Sequence, residues 1–192
     1  MKRLFFSFLS ILFLIISPAI VFSESLEQEA RRVCSDYVRI KKDCYYKSAK
    51  GMLPDQMLKS IKNANYPEGL VQMACQDGYD SYGRVGKQPT SAVNQGMQLS
   101  YTNCYNGYVE RGYEKATIID LKNAYTSAQA YFSDEPKGTI SIEKLYSYGF
   151  KASNDVVISI QDGSANGLKI SSKHAKSEIV RAIDAEGNIL KQ

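Results

Sequence analysis

The sequence predicts an α+β protein of two unlike parts. A disulfide-linked helical part, residues 24–113, precedes a helix packed on a small antiparallel sheet of about three strands, residues 114–192. Three observations predict this class. All four cysteines lie between residues 34 and 104, apolar residues recur at helical spacing as far as residue 132, and short apolar runs separated by turn residues follow.

The first 23 residues have the layout of a secretory signal peptide. Lys2 and Arg3 precede the apolar run 4–16, and Val21–Ser23 provides residues of the kind that signal peptidases accept. An uncleaved anchor helix is the alternative, but the apolar run is short for a bilayer span, which needs about 20 residues. We therefore expect cleavage after Ser23 and a periplasmic or secreted protein.

The charge of the mature chain is nearly balanced. Removal of residues 1–23 lowers the formal net charge from +4 to +2, which favours neither nucleic acid nor an anionic membrane surface as partner. Five of the seven Phe leave with this segment, whereas all 14 Tyr stay. No later apolar run is long enough to span a membrane. We expect another cell-envelope protein as partner and no cofactor; the oligomeric state is left open.

The four cysteines, Cys34, Cys44, Cys75 and Cys104, predict two disulfides, as an even number does in an exported protein. The chain has no Cys-x-x-Cys pair, and its one histidine is distant in sequence, so neither a zinc site nor a thioredoxin-like motif is predicted. Cys34 and Cys44 lie on one predicted helix, about 15 Å apart, and cannot bond each other. Two pairings remain: 34–75 with 44–104, or 34–104 with 44–75.

The cysteine-containing part is predicted to form four helices. Apolar residues at three-four spacing predict a first helix over 26–47, with a buried stripe of Ala30, Val33, Tyr37, Ile40 and Cys44. Gly51 ends this helix and Pro54 begins a second one over 54–63, which is interrupted around Tyr66-Pro67. A third helix is expected over 68–82. The loop 83–89 follows, and Thr90 or Ser91 is expected to cap the next helix.

An internal repeat, Cys-x-[Asp/Asn]-Gly-Tyr-x-x-x-Gly, begins at Cys75 and again at Cys104. Glycine in a helix costs about 1 kcal/mol relative to alanine, so its presence indicates close approach of another backbone. We prefer tight helix packing as the interpretation. A tyrosine-lined binding groove is the alternative, and its candidate residues are Gly78, Tyr79, Tyr82, Gly107 and Tyr108.

The C-terminal part begins with an amphipathic helix from about residue 114. Its core-facing stripe is Ile118, Leu121, Tyr125, Ala128 and Phe132. This helix is either separate or the end of one helix from about 91 to 133, in which the glycines at 107 and 112 favour a bend. After the turn at 134–138, Ser141 is expected to cap a short helix over 142–148. Strands are predicted at 156–160, 168–171 and 178–183, with a turn at 184–188.

A family resemblance emerges from the run Asp120-Leu-Lys-Asn-Ala-Tyr-Thr-Ser-Ala-Gln-Ala-Tyr-Phe-Ser-Asp134, followed in order by Tyr148-Gly149-Phe150 and Ser172-Lys173-His174. Residues 114–190 resemble the globular domain of bacterial type IV pilin-like proteins. This resemblance implies a pilin-like helix and sheet. The N-terminus lacks the leader and the polymerising hydrophobic half-helix of pilins, so a pilus subunit is not what it implies.

No pattern of catalytic or metal-binding residues stands out. His174 is the only imidazole, and we expect it at the surface or in a turn. No glycine-rich phosphate loop or zinc-protease helix is present, and the segment 162–167 reads as a hairpin turn rather than a calcium loop. The expected function is a non-catalytic exported binding or assembly protein, associated with a pilus or secretion apparatus. A small periplasmic inhibitor or ligand-binding protein using the tyrosine-rich face is the alternative, and a hydrolase the third.

Overall fold

The computed structural model describes residues 25–61 and 68–192. The predicted signal peptide with its cleavage after Ser23, and the predicted interruption at Tyr66-Pro67, lie outside the described residues. The described chain forms five helices and four strands: α1 Leu26–Ser48, α2 Pro54–Ser60, α3 Glu68–Val85, α4 Thr90–Asp134, α5 Ile142–Ser147, β1 Val156–Asp162, β2 Lys169–His174, β3 Val180–Ile183 and β4 Ile189–Lys191.

The α+β class is confirmed, and the sheet has a fourth strand that was not predicted. All neighbouring strands are antiparallel, in the order β1-β2-β3-β4. The added strand β4 has only three residues and pairs Ile189 with Ile183 across the turn that begins at Asp184. Such a short strand carries too little alternation to be distinguished from a loop in the sequence.

Local hydrogen bonds set the ends of the helices. At the start of α1, Ser25 and Gln28 form a capping box, in which each side chain bonds the other residue's backbone N–H. The predicted cap of α4 at Thr90 or Ser91 is wrong. Thr90 already lies in the helix, and the carbonyl of Pro89 accepts the N–H of Val93 at 3.1 Å instead.

The helix α4 connects the two parts of the molecule. It runs without interruption for 45 residues, through both Gly107 and Gly112. Its first half packs against α1, and its second half packs against α5 and the sheet. The boundary expected near residue 113 therefore falls inside a helix rather than in a linker.

The main core lies between the second half of α4 and the sheet. Leu121 and Ala128 are fully buried there and Phe132 nearly so, against Ile170 and Ile183 of the sheet. Tyr125 is half-buried at the edge of this core, and its hydroxyl donates to the carbonyl of Ala185 at 3.0 Å. The buried carboxylate of Asp120 accepts the N–H and the hydroxyl of Ser153, at 2.6 and 2.8 Å. These two bonds fix the loop before β1 on α4.

None of the helices in residues 25–61 and 68–192 combines the length and the apolar character that a membrane crossing needs.

Candidate functional site: the uncharged half of α4

Two disulfides join the helices on which the candidate site is built. Cys34 pairs with Cys104 and Cys44 pairs with Cys75, with Cα–Cα distances of 5.7 and 5.2 Å. The second of the two pairings left open by the sequence is the one observed. The helix α1 is thereby cross-linked to both α3 and α4. Such cross-links are typical of proteins that fold in an oxidising, extracytoplasmic environment.

The two copies of the repeat have different surroundings. A Cβ added to Gly78 would lie 2.2 Å from the carbonyl oxygen of Lys41, so α1 passes directly over this glycine. A Cβ added to Gly107 would meet only the guanidinium of Arg111, at 3.4 Å. Close packing of another helix therefore accounts for the first glycine, whereas the second meets only a side chain of its own helix.

The tyrosines of the proposed groove contact different parts of α1. Tyr82 packs edge-on against Tyr45, with ring centres 5.6 Å apart, whereas Tyr108 donates to the carboxylate of Glu29 at 2.8 Å. Tyr45 and Glu29 are about 24 Å apart along the helix axis. Tyr79 is half-buried against the core formed by α1, α2 and α3. The structure therefore does not bring Tyr82 and Tyr108 together in one groove.

The expectation that His174 is a surface or turn residue is wrong. Only 6% of this residue is exposed, and its ring stacks on Tyr113 with centres 3.9 Å apart. Its Nδ1 accepts the backbone N–H of Lys176 at 3.2 Å. Because Tyr113 comes from α4, from the other part of the chain, no local pattern around His174 indicated its burial.

A polar network surrounds this stacked pair and joins α1 and α4 to the end of β2. Glu27 accepts hydrogen bonds from the Lys176 ammonium at 3.0 Å and from the Tyr113 hydroxyl at 2.8 Å. These bonds, with that of Lys176 contributing most, lower the pKa of Glu27 to about 2. Ser177 donates to Glu110 at 2.5 Å, and Arg181 pairs with Glu114. We interpret this network as a polar connection of α1 and α4 to the sheet, in addition to the apolar core between α4 and the sheet.

The first half of α4 presents an unusual surface. Residues 90–109 contain no charged side chain. Val93 and Met97 point inward, where they pack around Tyr45. The opposite side, which we call the α4 outer face, consists of exposed residues and is concave over Gly96: Ala92, Gln95, Gly96, Leu99 and Thr102.

A groove of about 400 Å³ adjoins the α4 outer face, where α4 meets α1 and α3. Ala92 and Gly96 line both surfaces, and the groove is also lined by Lys41 of α1 and by Arg84 and Val85 of α3. Leu99 on the α4 outer face and Val85 in the groove are 63% and 54% exposed, so each of the two adjoining surfaces has one large exposed apolar side chain. The 20-residue uncharged run is visible in the sequence but contains no recognisable motif.

No group of three or more His, Cys, Asp or Glu side chains within the described residues is arranged to hold a metal ion. Neither the models of known protein families nor the curated protein sequences contain a match to this chain.

Proposed function

We propose that this chain is an exported, non-catalytic binding or assembly protein that docks another protein of the cell envelope on the α4 outer face. The observation that carries this proposal is the uncharged half of α4, with Leu99 exposed on its outer face and Val85 exposed in the adjoining groove. Large apolar side chains exposed beside a groove are common at interaction sites. The two disulfides support an oxidising compartment, and export through a signal peptide cleaved after Ser23 is part of the proposal.

The chemistry of the α4 outer face restricts the partner. A charged group that docked on the α4 outer face itself would lose its hydration and find no opposite charge between residues 90 and 109, whereas the cations Lys41 and Arg84 line the adjoining groove. Ala92 and Gly96 are one helical turn apart, and a Cβ on Gly96 would meet nothing within 4 Å. Two small residues at this spacing form a groove that admits the side chains of a crossing helix. The partner therefore contributes an amphipathic helix whose uncharged apolar face packs on the α4 outer face and whose side toward Lys41 and Arg84 carries no basic residue.

The pilin-like resemblance of residues 114–190 favours a partner within a pilus or secretion apparatus. In this arrangement the helix and sheet of the C-terminal part serve as the scaffold that holds α4. The alternative, a ligand-binding protein using the tyrosine-rich face, is less favoured because Tyr82 and Tyr108 contact distant parts of α1.

Affinity capture from a cell-envelope fraction tests the proposal. The bait is the mature, oxidised protein, compared with a Leu99→Glu variant and with an Ile119→Glu control. Both positions are exposed apolar residues of α4, but Ile119 lies outside the uncharged half. We expect a protein that is retained by the wild type and by the control and is lost with Leu99→Glu, because the new carboxylate would be desolvated on docking.

The captured protein is then purified and its Kd for the three baits is measured. A weakening of at least about tenfold for Leu99→Glu alone supports docking on the α4 outer face. Equal affinity for all three baits would refute this location. Failure of the wild type to retain any envelope protein would refute the proposal as a whole.

A further inference from the structure

A second cleft, of about 320 Å³, lies beside the groove where α4 meets α1 and α3, and it shares Lys41 and Ser100 with that groove. We call it the cationic cleft, because Lys41 of α1 and Arg111 of α4 both line it. Tyr37, Ser100 and Asn103 supply neutral polar groups, and the exposed side chain of Met73 supplies an apolar wall. The Cys34–Cys104 disulfide, which joins α1 to α4, lines the cleft through Cys104.

The two cations of the cleft have no carboxylate partner among the described residues. Lys41 donates to the Ser100 hydroxyl at 3.1 Å and lies 5.7 Å from the centre of the Tyr37 ring. Neither Lys41 nor Arg111 forms an ion pair within 4.0 Å in the part of the chain that the structure describes. One acid is close, since the Tyr37 hydroxyl donates to Asp77. The formal charges of the two lining cations and of Asp77, which adjoins the cleft through Tyr37, sum to +1.

Gly107, in the second copy of the repeat, leaves room for the guanidinium of Arg111. A Cβ at this position would meet only that guanidinium, at 3.4 Å. The Arg111 side chain thus folds back along α4 toward the cleft, as helical side chains do when they tilt toward the N-terminus. Gly107 and the Arg111 guanidinium, which has no ion pair among the described residues, are parts of the same feature.

We propose that the cationic cleft binds the carboxylate of a singly charged ligand whose apolar portion contacts Met73 and the Tyr37 ring. A guanidinium is planar and matches a carboxylate through two parallel hydrogen bonds, and Lys41 adds a second positive charge. A monoanion balances the summed charge of +1, whereas a dianion would leave a net charge of −1 in and beside the cleft. This inference goes beyond the proposed docking on the α4 outer face and does not depend on it, because a free carboxylate needs only the cleft.

The carboxylate has two candidate sources, a small organic acid and the C-terminus of a protein chain. Hexanoate represents the first source. A five-residue peptide with an apolar last residue and a free C-terminal carboxylate represents the second. Hexanamide and the same peptide with an amidated C-terminus are their uncharged counterparts, and inorganic phosphate tests the preference for a monoanion.

Titrations followed by ¹⁵N NMR on the oxidised protein test this inference. We expect hexanoate to shift signals of α1 and α4 around Lys41 and Arg111 with a Kd on the order of 1 mM, and hexanamide and phosphate to bind at least about tenfold more weakly. The Arg111→Gln variant should weaken hexanoate about tenfold or more, since hydrogen bonds to charged groups are among the stronger ones. Lys115→Gln, an exposed lysine one turn further along α4, is the matched control and should bind like the wild type.

A second pair of variants makes the same comparison on α1. Lys41→Gln corresponds to Arg111→Gln and should weaken hexanoate binding, whereas its neighbour Lys42→Gln corresponds to the control Lys115→Gln. Tighter binding of the free-carboxylate peptide than of hexanoate would assign the site to a chain terminus, and the reverse order to a small acid; either order supports a carboxylate site. The inference is overturned if hexanoate binds no better than hexanamide, or if Lys115→Gln loses as much affinity as Arg111→Gln. It is also overturned if no signal around the cleft moves at about fifty times the expected Kd.

Discussion

Gly78 and Gly83 lie in the same helix but have opposite surroundings. The helix α1 passes so close to Gly78 that an added methyl group would overlap the carbonyl oxygen of Lys41. A Cβ on Gly83 would meet nothing within 4 Å. Backbone oxygens cannot move aside as the end of a flexible side chain can, so the two positions should respond differently to the same substitution.

We predict that Gly78→Ala lowers the free energy of unfolding by about 2 kcal/mol, because overpacking outweighs the gain in helix propensity. Gly83→Ala is the matched control and should leave stability unchanged or raise it by up to about 1 kcal/mol. Urea unfolding of the oxidised protein, followed by circular dichroism at 222 nm, measures both. A Gly78→Ala variant as stable as the wild type would contradict the close approach of α1 and α3.

At the scale of elements, a stacked pair of aromatic rings joins α4 to β2. The ring of His174, at the end of β2, lies flat on Tyr113 in the middle of α4. His174 is buried at this junction, and its Nδ1 is engaged by the N–H of Lys176. The ring thus fills space between a helix and a strand and also receives a backbone donor.

We predict that His174→Ala lowers the free energy of unfolding by about 2–3 kcal/mol, because it leaves a cavity and an unsatisfied N–H. Tyr113→Phe keeps the stacked ring and loses only the hydrogen bond to Glu27, so its effect should be about 1 kcal/mol. Thermal unfolding of both variants at one pH compares them. If Tyr113→Phe were the more harmful change, the hydrogen bond and not the stacking would be what joins these elements.

Much of the element order follows from local patterns, and the contacts between elements do not. Apolar residues at three-four spacing in 26–47 and after residue 114 were sufficient to predict α1 and the second half of α4. Two cysteines on one helix excluded their own pairing and left two alternatives, between which only the tertiary arrangement decides. The surroundings of the glycines in the repeat likewise depend on the tertiary arrangement. Gly78 and Gly107 have nearly identical sequence neighbours, yet only Gly78 has another helix above it.

Sequence motifs did not indicate the candidate site, because the site is distinguished by its lack of charged residues. A sequence motif draws attention through the residues it contains, whereas the α4 outer face is distinguished by 20 consecutive residues without charge. The cationic cleft combines Lys41 and Arg111, which are 70 positions apart in the chain, so no local spacing relates them. The Cys34–Cys104 disulfide brings these two helices together.

At the scale of the whole molecule, the N-terminus of α1 is joined to the turn after β2 through the ion pair of Glu27 with Lys176. The pKa of Glu27 is lowered from 4.5 to about 2 in the folded protein. A carboxyl whose folded pKa is depressed stabilises the protein above its unfolded pKa and loses this contribution as the pH falls toward the folded value. The stabilisation by Glu27 is therefore complete above about pH 4.5 and is lost between there and about pH 2.

We predict that Glu27→Gln is less stable than the wild type at pH 6 and that this difference shrinks as the pH falls from about 4.5 to 2. The matched control is Glu178→Gln, which removes another Glu–Lys pair at the same end of the sheet. The Glu178 side chain is 98% exposed, so this variant should follow the wild type across the pH range. Urea unfolding at a series of pH values supplies both comparisons. A constant difference between Glu27→Gln and the wild type would show that the carboxylate does not contribute through its charge.

The central claim is that the protein is exported and that two disulfides cross-link its helices. Peptide mapping of the unreduced protein from the exported fraction, by mass spectrometry, tests this claim. The result we predict is a mature N-terminus at Glu24, cross-linked peptides joining Cys34 to Cys104 and Cys44 to Cys75, and no free thiol. Free thiols in the native protein, or peptides joining Cys34 to Cys75, would contradict the frame that positions the α4 outer face and the cationic cleft.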